Sequence, residues 1–296
     1  MQTSLNLNIS TKMKRIVFVM LFSMLFFSGF SQEDTTKAKE VKPWKTEGML
    51  QLNFSQVFIN DYWVAGGANS LSALGVVKLS ADYLQGKTSW DNDLNFAQGR
   101  MIQGDEDARK TDDKLDFSST YGYNAKGKWY YAANYTLKTQ LFDGYNYPDV
   151  TTPISGAFAP AEMLYSLGIQ YKPSEDFLFL ASPFTGKTIL VLNSDLSDLG
   201  AFGVEPGSTS YSKFGMYFKL KYKKEIFKNV NFSTKLDLFG DYQAISVWDV
   251  DWEVAINMKV NNWLSANILT QLIYNKDMSS EIQFKEVLGL GLGVKF

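Results

Sequence analysis

The sequence predicts an all-β fold, a transmembrane antiparallel up-and-down β-barrel of about twelve strands. Three observations predict it. Apolar and polar residues alternate with period two along most of the chain, the connections alternate between long and tight, and beyond the N-terminal thirty or so residues no apolar run is long enough for a membrane helix. Membrane barrels hide their hydrophobicity in such alternation, so a chain that is 15% aromatic yet has a mean hydropathy of only −0.16 fits the pattern.

The N-terminus comes first. Lys12, Lys14 and Arg15 precede an apolar run from Ile16 to Phe30, with the small residues Gly29 and Ser31 before Gln32. That order predicts a secretory signal peptide over 1–31, too short to span a membrane comfortably. Its removal takes away three basic residues and no acidic ones, moving the formal net charge from −2 to −5. Residues 32–46 are polar and charged and are expected to form a periplasmic lead-in, with the barrel over 47–296.

Strand segments follow. Gly48 to Phe58 places Leu50, Leu52, Phe54 and Phe58 against Gln51, Asn53 and Ser55. Ser70 to Leu84 and Thr88 to Ile102 alternate likewise about a turn at Gln85-Gly86-Lys87, as do Asp113 to Asn124 and Trp129 to Phe142 about Ala125–Lys128. Ala161 to Lys172 turns at Pro173–Asp176 into Phe177 to Leu192, where Pro183 and nearby Gly186 predict a bulge or a break. Four further segments centre on Phe218, Leu236, Ile256 and Ile268. The last runs from Ile282 to Phe296, its even positions apolar except Glu286 and its odd positions including Gly289, Gly291 and Gly293.

A long strand at the very end of a chain offers its edge to other chains unless it is paired. Closure on Gly48–Phe58 removes that edge, and the terminal Phe296 resembles the ending of bacterial outer-membrane barrels. The connections agree: residues 59–69, 103–112, 143–160 and 193–210 are long, whereas those near 85–87, 125–128, 173–176, 225–229 and 261–263 are tight. Aromatic residues gather at the tight ends, as expected of an interfacial girdle. The predicted location is the outer membrane of a Gram-negative bacterium.

Five stretches carry a family resemblance: Trp63–Ser70, Lys110–Lys114, Gly144–Pro148, Gly203–Gly207 and Gln283–Gly289. In these the chain resembles a Bacteroidota family of exported proteins, domain of unknown function 3078. The resemblance implies an outer-membrane location and brings no catalytic residues with it.

Composition narrows the chemistry. The chain has no Cys and no His, which removes thiolate chemistry and disulfides together with the usual general base and the commonest transition-metal ligand. The mature chain is acidic and has no basic tract, so no nucleic-acid partner is expected. Ser80 near Lys78 and Ser233 near Lys235 share polar faces, but neither context argues for an activated nucleophile. The expectation is a protein without catalytic residues, cofactor or metal. The acidic run Asp105, Glu106, Asp107, Asp112, Asp113 does not have the spacing of a calcium loop and is expected to be a solvated outer loop. Trp63, Gly66, Gly67 and Asn69 form the outer-loop binding candidate, a stretch whose glycines permit turns other residues resist; an ordinary hairpin connection is the equal alternative.

The lumen is the more informative region. Asp82, Asp91, Asp93 and Asp116 point inward from strands two to four, across from Lys213, Lys219, Lys221 and Lys235 on strands eight and nine. Asp91 and Asp93 lie just after a tight turn, and Lys219 and Lys221 lie just before one, so they fall at similar depth. Three arrangements are open: a transverse field across an aqueous pore, opposed charges that meet and close it, or lumen polar residues simply neutralised by their neighbours. The first makes the protein a narrow porin-like channel for small polar solutes. The alternative is a plugged barrel serving as a structural or binding subunit of an outer-membrane complex. Expected partners are outer-membrane lipid, the barrel-assembly machinery through the strand ending in Phe296, and other outer-membrane proteins.

Overall fold

The computed structural model describes residues 43–60 and 68–296. The expected signal peptide, residues 32–42 of the expected lead-in, and Trp63, Gly66 and Gly67 lie outside the described residues. The strands are β1 (Trp44–Val57), β2 (Ser70–Gln85), β3 (Thr88–Gln103), β4 (Arg109–Lys126), β5 (Trp129–Thr139), the short β6 (Gly144–Tyr145) and β7 (Pro153–Ser155), β8 (Ala161–Ser174), β9 (Phe177–Leu190), β10 (Ser210–Phe227), β11 (Val230–Asp241), β12 (Trp248–Lys259), β13 (Leu264–Tyr274) and β14 (Gln283–Lys295). All but β6 and β7 form one closed barrel of twelve antiparallel strands, each joined to its sequence neighbours. β1 starts at Trp44, three residues before the expected boundary at 47.

Closure occurs where the alternation predicts it. β1 pairs with β14 from Met49↔Lys295 to Phe54↔Leu290. Gly48 and Phe296 exchange both backbone hydrogen bonds, at 2.7 and 2.9 Å, so the pairing runs to the last residue. The Phe296 ring packs directly on Gly48, where any side chain would meet it. Along β14 the apolar row faces outward, with Leu288 73% and Leu290 61% exposed. An apolar row exposed around a polar interior is the inside-out arrangement of a membrane barrel, since closed sheets can satisfy every strand backbone in lipid. The chain is an outer-membrane β-barrel.

Rings mark the tight-turn end. Trp44 packs on Tyr83 and Trp90 with centroids 5.2 and 5.7 Å away. Trp129, Tyr171, Phe177, Tyr222 and Phe232 form a chain of contacts between 4.7 and 6.4 Å. This belt belongs at headgroup level, and the tight turns beside it are those of a periplasmic end.

Of the two outcomes expected near Pro183, a bulge forms. β9 remains continuous, but its register against β8 shifts between the Leu167↔Phe184 and Ile169↔Ala181 pairs, so Pro183 has no ladder partner there to lack. Ser182 Oγ fills the gap by donating to the Leu167 carbonyl at 2.6 Å. The outer connection expected at 103–112 is shorter, only residues 104–108, because β4 begins at Arg109 and absorbs a bulge opposite Gly99 and Arg100. The charged residues 109–113 therefore belong to the wall.

The glycine strip of β14 is covered from the side rather than from across the lumen. Gln51 and Asn53 of β1 lean over Gly291, joined to each other by a 2.6 Å hydrogen bond. Replacing Gly48 by Val displaces the Phe296 ring from the seam. The expected result is a barrel less stable by about 1–3 kcal/mol, read from urea unfolding in lipid vesicles against Gly75→Val, where the nearest atom is 3.9 Å from the added carbon.

Candidate functional site

The lumen wall is built by the inward rows of the twelve strands, and a period of two makes the chemistry of each row one decision per strand. β10 sends Lys213, Tyr217, Lys219 and Lys221 inward; β12 sends Asp249, Asp251 and Glu253; β3 sends Asp91 and Asp93. The opposed charges meet. Near the periplasmic end Lys172 Nζ lies 2.6 and 2.7 Å from the two Asp91 oxygens, and Lys221 contacts Asp93 across the lumen. One layer further in, Lys138 bridges Asp237 at 2.9 Å and Asp251 at 2.6 Å. Lys114 bridges Asp116 on its own strand at 3.1 Å and Glu253 at 2.9 Å. β4 and β12 are six places apart in the ring of twelve, so this last contact joins diametrically opposite walls.

The ladder continues outward. Lys187, 3% exposed, lies 2.7 Å from Glu162 and 2.9 Å from Asp249. Lys285 of β14 reaches Asp112 of β4 at 2.7 Å, and Lys213 reaches Asp277 in the outer connection at 2.5 Å. Charge pairs thus cross the lumen at several levels along its axis.

The outer mouth is also covered. The connection after β9 carries a short helix α1 (Ser194–Asp198), capped by Asn193 Oδ1 accepting from Leu196 N at 3.1 Å. Leu196 and Val204 of this connection join Ala159, Ile189 and Val191 in a buried apolar cluster with Tyr211 against it. Ile189 and Tyr211 belong to the inward rows, so the cap is seated on the lumen side of the wall. The periplasmic end differs: a cavity of about 300 Å³ opens among Glu175 and Asp176 of a tight turn and extends in to Ser118 and Thr136. At its rim Glu175 accepts a 2.8 Å hydrogen bond from Lys45, which holds its carboxyl below the usual range.

Against the expected site residues, the outcome is mixed. Asp82, Asp91, Asp93 and Asp116 all border the periplasmic cavity, as do Lys221 and Lys235. Lys213 does not share their depth, since it pairs at the outer mouth. Lys235 pairs with Asp237 on its own strand at 3.4 Å. Lys219 meets Ser118 and Thr136 hydroxyls rather than a carboxylate. Asn69 Oδ1 accepts from Ile59 N at 2.7 Å, closing the base of its connection.

The acidic run does not act as one solvated loop. Asp112 turns inward to Lys285, and Asp113 is bound by Lys110 Nζ and by the backbone N–H groups of Leu141 and Phe142, the latter at 2.7 Å. Among the described residues no cluster has the make-up of a metal site. Sequence reasoning passed over Lys114, Lys138, Lys172, Lys187 and Glu162. Lys114, Lys138, Lys172 and Glu162 lie on the polar rows of their strands, where parity was the available signal; Lys187 lies beyond the β9 bulge, which reverses the parity. What parity lacks is the partner, since the pairs join residues 25 to 139 positions apart.

Residues 54–145 match the family described as protein of unknown function (DUF3078), and residues 198–296 match the family described as protein of unknown function, DUF481. None of the curated proteins matches. Among solved structures the chain is similar to an outer membrane channel from Pseudomonas putida F1, with 13% identity, coverage of 89% of this chain and 99% of that one, and a TM-score of 0.39. It is also similar to the translocator domain of the autotransporter NalP from Neisseria meningitidis, at 10% identity, coverage of 96% and 95%, and a TM-score of 0.34. Outer membrane phospholipase A from Escherichia coli is a third, at 9% identity, coverage of 88% and 94%, and a TM-score of 0.37.

Removing one member of a buried pair strands its partner, which costs about 3–5 kcal/mol. Lys187→Met leaves Glu162 and Asp249 without their shared cation, so the barrel is expected to unfold at lower urea by about that amount. Lys187→Met combined with Glu162→Gln and Asp249→Asn should regain most of it. Urea titration of the three proteins in detergent measures the difference, and equal stability of single and triple variants would contradict buried pairing.

Proposed function

We propose that this outer-membrane barrel is a closed scaffold, its lumen held shut by charge pairs, that serves as a structural or binding subunit rather than as an open solute channel. The observation that carries this reading is the contact between Lys114 and Glu253, 2.9 Å apart though their strands stand on opposite walls. A porin keeps opposed charges apart so that solutes pass between them; here they touch. The ordered outer cap supports the same reading, because a long connection that packs its own apolar cluster presents a fixed surface to a partner protein or glycan. Phe296 at the seam serves the assembly machinery, and the outer apolar rows serve lipid.

Planar-bilayer recording tests the proposal. Purified wild-type protein is expected to give no ion steps. The triple variant Lys114→Ala, Lys138→Ala, Lys221→Ala, which removes three cross-lumen contacts, is expected to give steps. Regular steps from wild type, with currents that depend on small polar solutes, would return the function to a porin-like channel.

A further inference from the structure

One lumen lysine does not belong to the ladder. Lys219 is fully buried, and its Nζ lies 2.7 Å from Ser118 Oγ and 3.5 Å from Thr136 Oγ1. The two acids nearest in the layering are engaged elsewhere: Asp237 by Lys138, Lys235 and the Tyr217 hydroxyl, and Asp93 by Lys221. The Tyr217 ring lies 6.0 Å away, and the register partners of Lys219 are Leu180 on β9 and Asp237 on β11. Two hydroxyls as hydrogen-bond partners, with no carboxylate in contact, suit an amine that exchanges a proton with a hydroxyl rather than one that neutralises an acid. The Ser and Lys neighbours along single strands, Lys78 with Ser80 and Ser233 with Lys235, lack this geometry; the barrel makes the pair between β4 and β10, 101 residues apart.

The serine of the pair is reachable, while Lys219 itself is fully buried and does not line the cavity. Ser118 and Thr136 line the inner end of the periplasmic cavity of about 300 Å³, which is lined by eight carboxylates and four lysines. That excess of negative charge disfavours anions and admits small neutral or cationic molecules.

We propose that Ser118 is a nucleophile activated by Lys219, transferring the acyl group of small neutral or cationic esters that enter from the periplasmic side. Ser118 Oγ bonds to the ester carbonyl carbon as its proton passes to Lys219 Nζ. The carbon–oxygen bond to the alcohol then breaks, and Lys219 returns the proton to the departing oxygen. Water repeats the sequence on the acyl-serine, giving one alcohol and one carboxylic acid per ester and water consumed. Thr136 positions the amine.

The test uses purified, folded full-length protein in detergent, with folding confirmed by heat-dependent gel mobility. The probes are an uncharged fluorophosphonate and p-nitrophenyl acetate. Wild type is expected to carry the phosphonate on Ser118, located by peptide mass spectrometry, and to hydrolyse the ester with a rate that rises with pH. Ser118→Ala abolishes both. Lys219→Arg keeps a cation but supplies no base, and is expected to lose about 100-fold or more in labelling rate. If Lys219→Arg does not fold, Thr136→Val is read instead, with a smaller loss and an altered pH profile. Absence of label on Ser118 in wild type, or labelling undiminished in both Lys219→Arg and Thr136→Val, overturns the proposal.

Discussion

The rest of the structure depends on the antiparallel pairing of β1 with β14. Hydrogen bonding between the first and last strands turns a twelve-stranded sheet with two open edges into a ring with none. Once the ring closes, the faces of every strand are assigned. The outward rows meet lipid, and the inward rows meet one another in a space whose width is set by strand number and stagger. Phe296 and Gly48 make the junction snug: the ring occupies the place a side chain at 48 would take.

Closure also creates the electrostatic problem that the lumen solves. Ammonium and carboxylate groups taken from water into a narrow interior are costly alone and tolerable in contact. The barrel distributes them so that lysines of β4, β5, β8 and β9 reach acids on other strands, at distances between 2.6 and 2.9 Å. Such pairs add little net stability over apolar packing, but they penalise any register or strand order that separates them. Lys219 is the departure from this scheme, and its placement between two hydroxyls is what sets it apart chemically from its neighbours Lys213 and Lys221.

The two ends of the barrel are unlike. At the outer end a helix-bearing connection buries Leu196 and Val204 on inward residues of the wall, so the cap is held by apolar contact. At the periplasmic end the tight turns are too short to fold over the opening, and a cavity remains. Among the described residues the cavity therefore opens on the side of the tight turns, a consequence of connection length as much as of any specific residue.

The sequence by itself determined the strands, their faces and the closing pair. The alternation from Ile282 to Phe296 is strong enough to assign lipid and lumen faces, the long and tight connections orient the ring, and the rings from Trp44 to Phe232 mark one interface. These are local properties, readable because a strand repeats every two residues and a turn is made by its own residues. It also placed Asp93 and Lys221 at one depth, since both are counted from tight turns. Only the tertiary structure decided what touches. Whether Lys114 meets Glu253, whether Lys219 finds a carboxylate or Ser118, and whether the outer connection folds inward depend on shear, lumen width and side-chain reach, quantities that exist only after the ring has closed.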